Sequence, residues 1–199
     1  MILARLALSY LLGSFPTGLL MARLFKGVDI RRHGSGNVGA TNVARVAGKV
    51  PGLIVLLIDL AKGWFPVAVL AVPSSPEWLP VALGAAAVAG HIWNPFLQFQ
   101  GGKGVATGLG VLLGLDWRVG LGTALIWAIA AFLSRYVSVA SAAAALASPF
   151  LLVFFGHPLS WVLGGIAVSL AILGRHRSNF LRLLQGDENR IGASPRKDS

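Results

Sequence analysis

The sequence predicts an all-α polytopic integral membrane protein of seven transmembrane helices, two of them short. Three observations predict it. Of 199 residues, 55% are hydrophobic and only 12% are charged, about half the charged share of a soluble domain. Apolar runs recur along the whole chain, and a soluble domain of this size could not hide them without lipid. The basic residues gather in alternate connections between those runs. Mean hydropathy is +0.73.

The apolar segments fall at 2–24, 52–72, 79–96, 105–115, 119–133, 137–155 and 159–174. The fourth and fifth are shorter than the ~20 residues that a straight span needs, and read alone they would also suit half-buried hairpin helices. The first carries the run GSFPTG from Gly13 to Gly18, where a mid-span proline predicts a kink. It ends in Arg23 and Lys26 without a small-residue cleavage site, so it reads as a retained span and not a signal peptide. The second contains Asp59 and Lys62, three residues apart and so on one helical face. Charges at that depth must pair or face a polar cavity. The sixth segment is Ala-rich, and the fourth, fifth and seventh are Gly-rich, which permits close helix packing.

The net charge of +10 comes from 17 basic and 7 acidic residues. Between apolar spans such an excess points to the positive-inside rule and to anionic ligands, not to nucleic acid. Basic residues fill the 26–49 loop, Lys103, Arg135 and the stretch from Arg175 onward, whereas the alternate connections hold only Arg118 against Glu77 and Asp116. Seven spans then place the N-terminus outside and the C-terminus in the cytoplasm. Residues 1–190 read as one membrane-embedded domain, and 191–199 as a disordered basic tail. The absence of cysteine excludes disulfides and thiolate chemistry. No ligand cluster has metal spacing, so neither metal nor cofactor is expected.

Three polar clusters fall on the predicted cytoplasmic side. The first, at 31–45, reads RRHGSGNVGATNVAR. Gly34, Gly36 and Gly39 free the backbone to turn its N–H groups inward, beside Ser35, Asn37, Thr41 and Asn42. After Gly39 the sequence is helix-compatible, which puts Arg45 one turn beyond a helix start and makes an anion pocket. The second cluster is Gly101, Gly102, Lys103 and Gly104, with His91 and Asn94 just upstream. It is not a Walker loop, because Leu97 stands where the first glycine belongs. Three glycines and one ammonium still suffice to hold a phosphate group. The third, RHRSNFLRLLQGDENR at 175–190, puts His176 and Asn179 on one helical face, followed by Glu188. Arg182 and Arg190 read as the polar face of a basic surface helix. Ser141 in the sixth segment is a further candidate for the same cavity.

These motifs, GSGNVGATNVAR, GGKGVAT and HRSNFLRLLQGDENR in this order, resemble those of the bacterial acyl-phosphate:glycerol-3-phosphate acyltransferases (the PlsY family). The lead-ins GSFPTG, DLAKGW and GHIWNPF fit the same pattern, so the resemblance runs from Gly13 to about Glu188. It implies a seven-helix fold in the bacterial inner membrane with the motifs on the cytoplasmic face. It also implies transfer of an acyl group from acyl phosphate to the 1-hydroxyl of glycerol 3-phosphate, giving lysophosphatidic acid and phosphate. By position, Ser35, Asn37, Thr41, Asn42 and Arg45 match the motif that builds the catalytic pocket. Lys103 with Gly101, Gly102 and Gly104 matches the one associated with glycerol 3-phosphate and phosphate binding. His176, Asn179 and Glu188 match the third, needed for activity or integrity, and Lys62 and Ser141 match positions near the cavity. The implied partners are acyl phosphate, glycerol 3-phosphate and membrane lipids.

Acyl phosphate is already activated, so no covalent enzyme intermediate is expected, and cations with N–H groups would stabilise the charge that develops. The fifth residues after the four histidines are Val38, Phe96, Val162 and Leu181, so the His-x4-Asp pattern of other glycerol phosphate acyltransferases is missing. The base is then His176, a water or a substrate phosphate, and we favour the phosphate. A small anion transporter is the rival reading, but it calls for basic residues at both membrane faces. A CDP-alcohol phosphotransferase needs a dense aspartate motif, and Asp59 stands alone.

Overall fold

The computed structural model describes residues 1–192, and among them it is helical with no strand beyond one isolated bridge. The last part of the expected basic tail, 193–199, lies outside the described residues. All seven apolar segments form helices. The first is α1 (Ile2–Gly13) and α2 (Thr17–Lys26), broken around Pro16 as the GSFPTG run predicts. At the break the Phe15 carbonyl accepts from Thr17 N at 2.9 Å and from Lys62 Nζ at 3.2 Å. The predicted kink and the predicted buried cation therefore answer each other. Lys62 also pairs with Asp59 Oδ1 at 2.9 Å, with both side chains buried.

A short helix, α3 (Ala40–Ala47), leads into α4 (Lys49–Phe65), which Pro66 ends in a wider turn over Pro66–Leu70. Next come α5 (Leu79–Ile92) and α6 (Val105–Leu115). The third segment is shorter as a helix than as an apolar run. Asn94 precedes Pro95 and is driven out of helical geometry, so the chain turns at Trp93. The fifth is longer than expected: α7 (Trp117–Ser134) has 18 residues because Asp116 caps it, accepting from Arg118 N at 2.8 Å. It is followed by α8 (Val137–Phe154), α9 (Leu159–Arg175) and α10 (Arg177–Gln185), the last bent 48° from α9 at His176. Among the described residues four stretches are long and apolar enough to cross a membrane, Ile2–Lys26, Lys49–Leu70, Trp117–Ser134 and Val137–Phe154, and the bent pair α9–α10 taken together makes a fifth.

Small residues set the packing. A Cβ at Gly63 would overlap the Thr107 carbonyl, and one at Gly110 would overlap that of Leu60, so α4 and α6 lie in backbone contact. The 27–39 loop is nailed down by apolar side chains: Ile30 and Val38 are buried with Leu19, Ala22, Val43, Val55 and Leu97. Burying one such side chain contributes about 1.5–3 kcal/mol, which makes a polar loop a fixed wall. At the far end of the bundle Asp116 links two turns, bonding Arg118 Nη2 at 2.6 Å and His157 Nε2 at 2.9 Å. Arg118, and to a lesser degree His157, hold the Asp116 carboxyl well below the usual carboxylate range.

Candidate active site

The start of α3, the Lys103 loop, the start of α8 and the α9–α10 bend all fall at one end of the bundle. They enclose a cavity with an empty volume of about 1230 Å³, counting space open to solvent. Ser35, Asn37, Gly39, Thr41, Asn42, Arg45, Lys103, Gly104, Ser141, His176, Asn179 and Glu188 line it. Three clusters separated by more than fifty residues in sequence are thus brought together.

Each wall has its own scaffold. Asn42 uses its whole amide on the loop: Oδ1 accepts from Ser35 N at 2.9 Å, and Nδ2 donates to His33 O at 3.0 Å and Asn37 O at 2.9 Å. It holds the loop in shape from the cavity wall. Gly34 and Gly36 lie outside the lining, in the left-handed region with φ of 60° and 70°, and a Cβ at Gly34 would strike the Asn42 oxygen. Thr41 and Arg45 stand exposed at the cavity, and no hydrogen bond ties Arg45 to another described residue.

Gly101 and Gly102 also lie outside the lining. Their N–H groups donate to the Ile92 and His91 carbonyls at 3.0 Å, and Arg175 donates back to Gly101 O at 3.0 Å. That clamp delivers Lys103 into the cavity. Lys103 Nζ donates to Asn179 Oδ1, Asn179 Nδ2 donates to Glu188 Oε1 at 2.7 Å, and Arg182 Nε donates to Glu188 Oε2 at 2.9 Å. Arg182, expected on a solvated face, instead lines the cavity, because Glu188 turns it inward. Burial pushes the Lys103 ammonium down to about 8, with Glu188 opposing and Arg182, Arg175 and Arg45 adding to the fall. His176 is buried, and its Nδ1 lies 2.8 Å from Ile172 O. That bond makes Nδ1 the protonated nitrogen and leaves Nε2 as an acceptor. Burial also lowers the His176 pKa, with Lys103 adding to it and the bond to Ile172 opposing.

Lys62 does not reach the lining, since it is spent on Asp59 and Phe15, while Asp59 and His91 do reach it. Ser141 Oγ donates to Val137 O at 2.7 Å and accepts from Trp127 Nε1 at 3.3 Å. Ser138 and Trp127 line the cavity without any motif to announce them, and Asn189 lines it from within the third motif although the sequence did not single it out. A spacing signal existed for Ser138 alone, one helical turn before Ser141.

A second, almost wholly apolar cavity runs on between α6, α7, α8 and α9, with an empty volume of about 660 Å³. Val105, Leu109, Trp127 and Ser141 line both cavities, so the apolar cavity adjoins the cationic chamber. Among the described residues no group of three or more His, Asp or Glu is placed to hold a metal.

Residues 3–186 match the family model described as glycerol-3-phosphate acyltransferase. The chain belongs to the glycerol-3-phosphate acyltransferase family. A glycerol-3-phosphate acyltransferase of Synechococcus sp. (strain CC9902) is 48% identical over 187 residues, covering 94% of each chain. One of Rubrobacter xylanophilus is 44% identical over 185 residues, covering 93% of this chain and 92% of the relative. The crystal structure of PlsY (YgiH), an integral membrane glycerol 3-phosphate acyltransferase, in its glycerol 3-phosphate form superposes with a TM-score of 0.91. It is 42% identical and covers 96% of both chains. The lysophosphatidic acid form of PlsY gives 0.89 at 41% identity, covering 96% of this chain and 95% of that one. The expected family and the helical integral-membrane fold are therefore both shown.

Proposed function

We propose that this chain acylates the 1-hydroxyl of glycerol 3-phosphate with acyl phosphate as donor, releasing 1-acylglycerol 3-phosphate and phosphate. The observation that carries this is a pair of adjoining cavities: a chamber with Arg45, Lys103 and Arg182 shares Trp127 and Ser141 with an apolar cavity. Such a site accommodates substrates that combine phosphate with a hydrocarbon chain. The relatives' names supply the acceptor, and the form in which PlsY was solved supplies the product class. The donor is argued from the chamber, which offers cations for two phosphate groups. The free Arg45 guanidinium and the start of α3 take one phosphate, and Lys103 on its glycine clamp takes the other.

Phosphate is a good leaving group, so direct attack by the glycerol hydroxyl needs no acyl-enzyme. Cations on the departing phosphate and alignment of the hydroxyl supply most of the acceleration. Neutral His176 offers Nε2 as an acceptor that orients the hydroxyl, and a substrate phosphate oxygen takes the proton. Asn179 and Glu188 keep Lys103 and Arg182 in place, and Ser35, Asn37 and Thr41 shape the wall that faces them. Neither metal nor cofactor enters this scheme. Residues 1–190 act as one unit with seven crossings of the bacterial inner membrane, N-terminus outside and site facing the cytoplasm. Charge supports that orientation: the site end carries most of the arginines and lysines, while Arg118 at the other end is neutralised by Asp116.

Purified protein given labelled glycerol 3-phosphate with acyl phosphate, acyl-CoA or acyl carrier protein tests the reading. Label entering lysophosphatidic acid with acyl phosphate is expected. Label entering with acyl-CoA alone would overturn the donor, and no labelled lipid with any donor would favour an anion conduit. His176→Gln at an intact rate would exclude an obligatory proton transfer by that residue.

A further inference from the structure

Ser138 carries more than its sequence suggests. It sits in the first turn of α8, lines the chamber and is 2% exposed, yet its Oγ has no hydrogen-bond partner among the described residues. A hydroxyl buried without a partner is left desolvated and uncompensated. Its neighbour on the same helical face is different, since the Ser141 hydroxyl is engaged by Val137 and Trp127. Val137 and Ser138 bring the start of an 18-residue helix to the cavity wall, and that end carries partial positive charge.

The position is as telling as the vacant hydrogen bond. Ser141, one turn further along α8, belongs to both cavities, so Ser138 lies on the polar side of their junction. With phosphates held at Arg45 and Lys103 and a hydrocarbon chain in the apolar cavity, the acyl carbonyl must fall at that junction. We propose that Ser138 is the oxyanion donor of the acyl transfer, its hydroxyl aided by the positive end of α8. This assignment rests on the acyl-phosphate reading above.

The glycerol hydroxyl oxygen bonds to the acyl carbon while the carbonyl π pair moves onto the carbonyl oxygen, which accepts the Ser138 O–H. Collapse restores the carbonyl and breaks the bond to the phosphate oxygen, which leaves with that electron pair. The glycerol hydroxyl proton goes to a phosphate oxygen. Ser138 gains and loses no atom.

Kinetics of Ser138→Ala, with equilibrium binding of labelled glycerol 3-phosphate as a second readout, test this. Losing one such donor costs on the order of 10²–10³ in kcat. We expect that fall with KM and glycerol 3-phosphate binding nearly unchanged, the mark of an interaction made only in the transition state. A kcat within about twofold of wild type, or a loss of rate matched by loss of binding, would overturn the assignment. Should the alanine variant fail to fold, Ser138→Cys keeps the shape with a weak donor. It should show the same fall in kcat, and a fully active Ser138→Cys would sink the idea. Wild-type protein inactive with acyl phosphate would count against the donor and not against Ser138.

Discussion

Replacing Glu188 by glutamine probes the site at its most connected point. The carboxylate accepts from Asn179 Nδ2 at 2.7 Å and from Arg182 Nε at 2.9 Å, with its side chain 6% exposed. Glutamine keeps one carbonyl acceptor, so one of these two bonds is lost, and bonds to charged groups contribute about 1.5–3 kcal/mol each. Arg182 is 32% exposed and regains some water, which favours the lower end of that range. At about 1.4 kcal/mol per decade, kcat/KM should fall roughly tenfold. The charge has a second effect. Glu188 opposes the burial that brings Lys103 down to about 8, so removing it lowers the Lys103 pKa further. The ammonium is the anion-binding form, and it is lost as pH rises through its pKa. The basic limb of kcat/KM, which reports the free enzyme, should therefore start near pH 8 in the wild type and move to lower pH in Glu188→Gln. Initial rates of labelled lysophosphatidic acid formation across pH, with glycerol 3-phosphate varied, measure both. A limb that stays put or moves upward would refute the linkage of Glu188 to Lys103 through Asn179. A double-mutant cycle with Arg182→Gln should show coupling, because the two groups share one bond.

Other predictions follow from the same geometry. Lys103→Arg, which stays charged at every accessible pH, should abolish the basic limb even where the rate is lower, as a pH profile would reveal. Asn42→Ala forfeits three hydrogen bonds of about 1 kcal/mol each. It should raise KM for glycerol 3-phosphate, with Asn42→Asp intermediate because it keeps the acceptor for Ser35 N–H. Ala144→Leu would crowd the apolar cavity. Competition between short and long acyl phosphates should show selective loss of the long ones, and an unchanged chain-length profile would place the hydrocarbon elsewhere.

The apolar runs, the kink at Pro16 and the three polar clusters were legible because each rests on local chemistry that one segment carries by itself. Element ends were less so. The third segment stops at Ile92 because Pro95 constrains Asn94, and the fifth begins early because Asp116 caps it. Within the site, residue types announced what to expect of Lys103, Asn179 and His176. They did not announce division of labour. Asn42 and Gly102 look like ligand contacts in sequence yet act as clips, because their partners, His33 and His91, are set by loop closure. Arg182 looked solvated because its inward turn depends on Glu188, beyond the end of its helix. Ser138 carries no motif at all. Its burial follows from how α8 packs, which only the folded chain decides.

The strap at the end of the chain has a further consequence. Glu188 and Asn189 reach the chamber, and the next residues are tied down: Ile191 N donates to Arg135 O at 2.8 Å, and the Arg190 guanidinium lies 5.5 Å from the Tyr136 ring centre. These partners sit in the turn between α7 and α8, some fifty residues earlier in synthesis. The acid that steadies Lys103 through Asn179 is thus made after the helices it docks on. A chain stalled before residue 188 would lack the carboxylate that Asn179 and Arg182 bind, so its chamber would stand with one wall unfinished.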